Sequence, residues 1–137
     1  MTYKFEQLDV WKLALDYIDG IYKLAEHLPR SEDFNLKSQI TRATTSVALN
    51  IAEGSQGQSN AEQSRFLGRA IRSLIETVAC QQIIMRRKYL QDDDLLNKIY
   101  DDSQTLARKL QAFRNSLSKA TYKIGEDAPA YNKDILL

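Results

Sequence analysis

At 137 residues the chain is long enough for one domain with a buried core, and its 43% hydrophobic and 27% charged content is that of a soluble globular protein. With 19 basic and 18 acidic side chains the formal charge is +1, so a nucleic-acid role has to rest on a local patch, not on a basic chain. The single cysteine, Cys80, excludes a disulfide within the chain, and no stretch is apolar enough to act as a signal core or to span a bilayer, so a cytoplasmic protein without a membrane partner is expected.

Apolar spacing predicts a first helix over residues 9–28, with Asp9 as N-cap and Leu8 and Leu13 as a hydrophobic staple. Trp11, Ala14, Leu15, Ile18, Ile21, Tyr22, Ala25 and Leu28 make its expected buried face, and Pro29 its end. Gly20 inside it costs about 1 kcal/mol relative to alanine, a cost that a close helix approach would offset.

Ser31, Asp33 and Asn35 each offer a cap for the second helix, whose clearest part is residues 39–54. Ile40, Ala43, Val47 and Ile51 form an apolar stripe there, Gln39, Arg42, Ser46, Asn50 and Glu53 form a polar stripe beside it, and Gly54 supplies a stop. The polar stripe suits a subunit interface, a polar network with the third helix, or a ligand pocket. Structural or interface use is the preferred reading, with Glu76 as a partner for Arg42.

The breaker GSQGQ at residues 54–58 precedes Ser59 and Glu62, which have capping-box spacing and open a third helix reaching about residue 89. Phe66, Leu67, Ala70, Ile71, Leu74, Ile75 and Val78 make its apolar face. Arg65, Arg69 and Arg72 fall roughly opposite, with Arg86, Arg87 and Lys88 near the helix end. This basic track reads either as a contact surface for RNA phosphates or as a solvated face in which Glu62 and Glu76 pair with the arginines. No aromatic residue is expected to interleave it, which argues against stacking on single strands.

Asp92, Asp93 and Asp94 open a fourth helix, and Arg108, Lys109 and Arg114 near its end complement the helix dipole. Leu95, Ile99, Leu106, Leu110, Phe113 and Leu117 supply its core side. The expected architecture is all-α, an antiparallel up-down four-helix bundle over residues 1–118, with residues 119–137 as a helix extension or flexible tail. In that tail Gly125 and Pro129 interrupt the helix, while Tyr131 and the terminal ILL are apolar enough to dock, a frayed end being preferred.

Catalytic and metal-binding patterns are absent from the sequence. His27 stands alone, Cys80 lacks a histidine or C-x-x-C context, and no Glu-x-x-His pair suits a di-metal bundle. Neither a phosphate-cradling loop after a strand nor a nucleophile with its base is present. A protein that is not an enzyme and carries no cofactor is the expectation.

Four blocks carry a family resemblance: LDVWKLA at 8–14, LPRSEDFNLKSQITRA at 28–43, SVALNIAEG at 46–54 and RFLGRAIRSLIE at 65–76. Together they resemble the bacterial four-helix-bundle proteins labelled ribosomal RNA intervening-sequence proteins, over roughly residues 5–117. Two departures concern charge: Gln56, Gly57 and Gln58 stand where the family often has arginine, and Arg72 where it commonly has a small residue. The resemblance implies a four-helix protomer that assembles into a ring-like homopentamer and accompanies ribosomal RNA or another nucleic-acid machine. A distant relation to the accessory protein of diversity-generating retroelements, which binds a reverse transcriptase, is analogy of fold alone. The expected function is therefore that of a homo-oligomeric interaction protein. The alternative is a small-molecule-binding or enzymatic bundle that uses the polar stripe as its pocket.

Overall fold

The computed structural model describes residues 2–57 and 59–124, with side chains described as far as residue 119. After a 3-10 turn at Lys4–Gln7 come four helices: α1 (Asp9–Ala25), α2 (Leu36–Ser55), α3 (Asn60–Arg87) and α4 (Asp94–Ile124). A second 3-10 turn, Arg30–Glu32, lies between α1 and α2. The helix α4 continues past residue 118, and the tail expectations for Gly125, Pro129, Tyr131 and the terminal ILL lie outside the described residues.

Each helix packs on two others, α1 and α3 both touching α2 and α4, which is the square of a four-helix bundle. Facing residues give the direction. Gly54 meets Phe66, and Ser46 meets Ser73, so numbers rise on one helix as they fall on the other, and α2 and α3 run antiparallel. The diagonal pair α1 and α3, bridged by Tyr17 to Thr77 and Gln81, runs parallel: Leu8 at the start of α1 lies beside Ser59 and Gln63 at the start of α3, while Glu32, after α1, meets Tyr89, after α3.

Core residues follow alternating three- and four-residue steps. In α1 these are Val10, Ala14, Tyr17, Ile21 and Leu24, and in α3 they are Leu67, Ala70, Leu74, Thr77, Gln81 and Ile84. That phase corrects several expectations. Leu15, Tyr22 and Ile75, assigned to buried faces, lie one step outside the ladders and are 41%, 53% and 55% exposed. Leu96 enters the core of α4, and Leu95 is only half-buried. Trp11 is half-buried too, its ring edge-to-face with Phe5 at 4.6 Å.

Helix ends differ from expectation at the small scale. Asp9 is the first residue of α1 and not its cap: the extended Leu8 takes the cap position, with no side-chain cap bond, and its carbonyl accepts from Trp11 N at 3.1 Å. The helix ends at Ala25, before Pro29, which instead precedes the 3-10 turn. Gly54 lies within α2 and does not stop it. A Cβ there would sit 2.9 Å from Phe66 Cβ, so this glycine lets α2 and α3 close together. At α3 the Ser59 hydroxyl accepts from Glu62 N at 3.1 Å, half of the expected capping box.

Candidate nucleic-acid interface and polar seam

Two contacts at its start set the rotational position of α3: the Ser59 cap and the tight fit of Phe66 against Gly54. With the helix so turned, Arg65, Arg69 and Arg72 are all exposed. Phe66 lies half-buried among them, with the Arg65 and Arg69 guanidinium carbons 5.8 and 5.0 Å from its ring centroid. An aromatic does interleave the track after all. Phe66 has a buried edge facing α2 and a face open to two cations, which orders both side chains.

The expected pairing of these arginines with Glu62 and Glu76 does not occur. Among the described residues the ion pairs are Lys37 with Asp33 at 3.7 Å and Lys98 with Asp102 at 2.8 Å. Glu62 turns back towards the capping loop, its side chain 3.4 Å from where a Cβ on Gly57 would lie. Glu76 lines a groove towards α2, whereas Arg72 acts electrostatically on Arg114 of α4.

Arg114 is the residue that sequence reasoning missed. Its Nε donates to Ser64 Oγ at 3.1 Å, and its guanidinium rests on the backbone of Gly68. Burial, and after it the charge of Arg72, lower its pKa from the ordinary value. Nothing in a linear sequence reveals which residue of α4 lies opposite Gly68, because that depends on the register between two helices.

Arg86, Arg87 and Lys88 do not join this cluster. Fourteen residues of helix separate Arg72 from Arg86, a rise of about 21 Å. Arg87 donates to Tyr89 Oη at 3.4 Å and lies over its ring, while Tyr89 donates to Glu32 Oε2 at 2.5 Å. The Tyr89 hydrogen bond, first, holds the Glu32 carboxyl below its ordinary pKa. Lys88 ends the helix in the left-handed region at φ 57°. This group pins the connection before α2 to the far end of α3.

The α2 polar stripe divides. Ser46 shares a 2.9 Å hydrogen bond with Ser73 of α3, and Asn50 Nδ2 donates to the Ser46 carbonyl at 2.8 Å. Gln39, Arg42 and Glu53 remain exposed. Arg42 donates to Ser38 Oγ at 2.8 Å and has no ion pair with Glu76 among the described residues. It stands between two open grooves. One, of about 500 Å³, includes Tyr22, Leu49, Asn50 and Glu53, and the other, of about 400 Å³, includes Phe34, Gln39, Ser73 and Glu76.

Cys80 is buried, and burial followed by the charge of Glu76 raises its thiol pKa, which disfavours the thiolate. No cluster of three or more metal-ligating side chains occurs among the described residues, and none of their helices is long and apolar enough to cross a membrane.

Comparison with known proteins gives a consistent family. The family model described as 23S rRNA-intervening sequence protein matches residues 6–112. A crystal structure at 1.70 Å resolution of a protein of unknown function from the S23 ribosomal protein family of Bacteroides thetaiotaomicron VPI-5482 is 26% identical. The match covers 77% of this chain and 97% of that one, with a TM-score of 0.70. No curated protein matches the chain.

Proposed function

The chain belongs to the 23S rRNA-intervening sequence protein family, and from that premise we propose that it is a non-enzymatic, homo-oligomeric helical-bundle protein that binds ribosomal RNA through phosphate contacts on α3. The observation that carries this reading is the exposed group Arg65, Arg69 and Arg72, which has no carboxylate within ion-pair distance among the described residues. Three unpaired guanidinium groups on one helix face raise the local potential and offer forked donors to phosphate oxygens. The oligomer of the proposal is the pentamer that the family resemblance implies. Its support here is Phe34, fully exposed beside the α2 groove, together with half-exposed Tyr22 and Leu49. A nucleic-acid enzyme bound beside the RNA is a compatible partner, and the cytoplasm the compartment of the proposal.

The alternative, a small-molecule or enzymatic bundle, would use the groove that holds Asn50 and Glu53. That groove is open along its length, whereas small-ligand sites enclose most of their ligand.

Binding of the purified protein to structured ribosomal RNA fragments, titrated with salt, tests the RNA reading. Wild type should bind saturably with a steep salt dependence. An Arg65/Arg69/Arg72→Ala variant should lose about 0.9 from the slope of log K against log salt for each phosphate contact removed. Absence of saturable binding near physiological salt, or an unchanged slope, would overturn it.

A further inference from the structure

Between Arg65 and Arg69, on the charged face of α3, stands an aromatic ring. Phe66 is half-buried, and its root packs on α2, the Phe66 Cβ lying 2.9 Å from the place of a Cβ on Gly54. Any apolar side chain at position 66 would make that contact, so packing on α2 leaves the aromatic face unexplained. Charge is what covers that face: the guanidinium carbons of Arg65 and Arg69 stand 5.8 and 5.0 Å from the ring centroid. Both arginines are exposed, and neither has a carboxylate within ion-pair distance among the described residues. Their hold on the ring is the weak attraction of an exposed cation for a π face. Four residues of helix set the two about 6 Å apart along α3, one just before Phe66 and the other almost a turn after it.

We propose that Phe66 is a stacking platform for one unpaired base of bound RNA, with Arg65 and Arg69 moving off its ring onto the phosphates on either side of that base. The inference rests on the RNA reading above and adds to it the class of RNA preferred, a single strand or loop over a duplex. A base replaces the two cations over the ring with a flat π face, a stronger contact than an exposed cation makes. The guanidinium groups lose the ring but gain phosphate oxygens, which their forked donors fit. Anchorage of Phe66 at its Cβ keeps the platform in place while the longer, exposed arginines move. A duplex keeps its bases stacked on one another and offers only its backbone, so it would use the arginines and leave the ring unused.

Two single strands of equal length and charge test the platform: an oligouridylate and an abasic ribose-phosphate strand. Wild type should bind the oligouridylate tighter by about five-fold or more, the range expected for one base on an aromatic ring. A Phe66→Leu variant keeps every arginine and the Cβ contact with Gly54, so its thermal unfolding should stay close to that of wild type. It should bind both strands as wild type binds the abasic one, with an unchanged salt slope because no phosphate contact is removed. Equal affinity of wild type for the two strands, or binding to neither, overturns the platform without recourse to any variant. So does a Phe66→Leu variant that weakens both strands alike and keeps the preference, since the ring would then only order the arginines. If any of these results accompanies binding of the structured ribosomal RNA fragment that Arg65/Arg69/Arg72→Ala abolishes, the platform is wrong and the RNA reading stands. Failure to bind the fragment as well overturns both.

Discussion

Tyr17 crosses the bundle diagonal to join α1 to α3, and the direction of its hydrogen bonds can be worked out. Thr77 Oγ1 lies 2.6 Å from the Leu74 carbonyl, which only accepts, so Thr77 donates there and must accept from Tyr17 Oη at 2.7 Å. Tyr17 Oη in turn accepts from Gln81 Nε2 at 2.6 Å. The chain of donors runs one way and leaves Gln81 Oε1, at its head, buried without a partner. Replacing Tyr17 with phenylalanine strands Thr77 and Gln81, and should cost about 1–3 kcal/mol near neutral pH. Alkali gives the sharper test. Burial pushes the Tyr17 pKa up to about 12 from 10.0, so the folded state holds its proton where the unfolded state has lost it. The stabilising difference is intact below pH 10 and is shed as pH rises through the folded value, amounting to about 3 kcal/mol for two units. Urea titrations from pH 9 to 12 should therefore show wild type losing more stability than Tyr17→Phe by that amount. Parallel curves would mean the hydroxyl is solvated.

Helix pairs make opposite demands on glycine. Gly54 lies where a methyl group would meet Phe66 Cβ at 2.9 Å, and both atoms belong to helices that cannot give way cheaply. Gly20 also sits inside a helix, but a methyl there would find Ile99 at an ordinary 3.5 Å. Gly54→Ala should thus destabilise by about 1–3 kcal/mol through overpacking. Gly20→Ala should stabilise by about 0.5–1 kcal/mol through helix propensity and a less flexible unfolded chain. Chemical denaturation of the two variants checks both signs at once, and like signs would mean that the helix spacing is wrong. These elements also show what the sequence could disclose. The four helices and their order follow from apolar spacing and breakers, and the bundle from short connections. The phase of the cores was harder, because Tyr17, Thr77 and Gln81 are polar residues at core positions and do not register as hydrophobic, while Leu15 and Tyr22 do. The arginine face was legible on α3. Its fourth member, Arg114, depends on packing between helices, as does the absence of ion pairs from these arginines to Glu62 and Glu76 among the described residues.

On the scale of the whole molecule, the fold leaves an unusual amount of large apolar side chain in water around α2. Phe34 is wholly exposed, and Leu49 and Tyr22 are 56% and 53% exposed beside the groove of about 500 Å³. A second copy is the partner that is always present, and a contact between two different faces of the same chain closes into a ring when its rotation divides the circle. Under the proposed assembly, light scattering should give about five times the 15.7 kDa chain mass. Phe34→Ser should lower that mass without altering the far-ultraviolet circular dichroism, because a fully exposed ring contributes nothing to the protomer core. A one-subunit mass for wild type would overturn the ring, and an unchanged mass for Phe34→Ser would move the interface off this face. Assembly and RNA contact are then linked by arithmetic. Copies joined in one particle present the α3 arginines repeatedly to one RNA, so later contacts form at high effective concentration. Phe34→Ser keeps every arginine, yet it should weaken binding to a long RNA fragment by 10-fold or more, on the order expected for lost multivalency. Binding to an RNA stem too short for two protomers should hardly change. Equal losses on both RNAs would instead make Phe34 part of the RNA contact, and no loss on either would mean that each protomer binds alone.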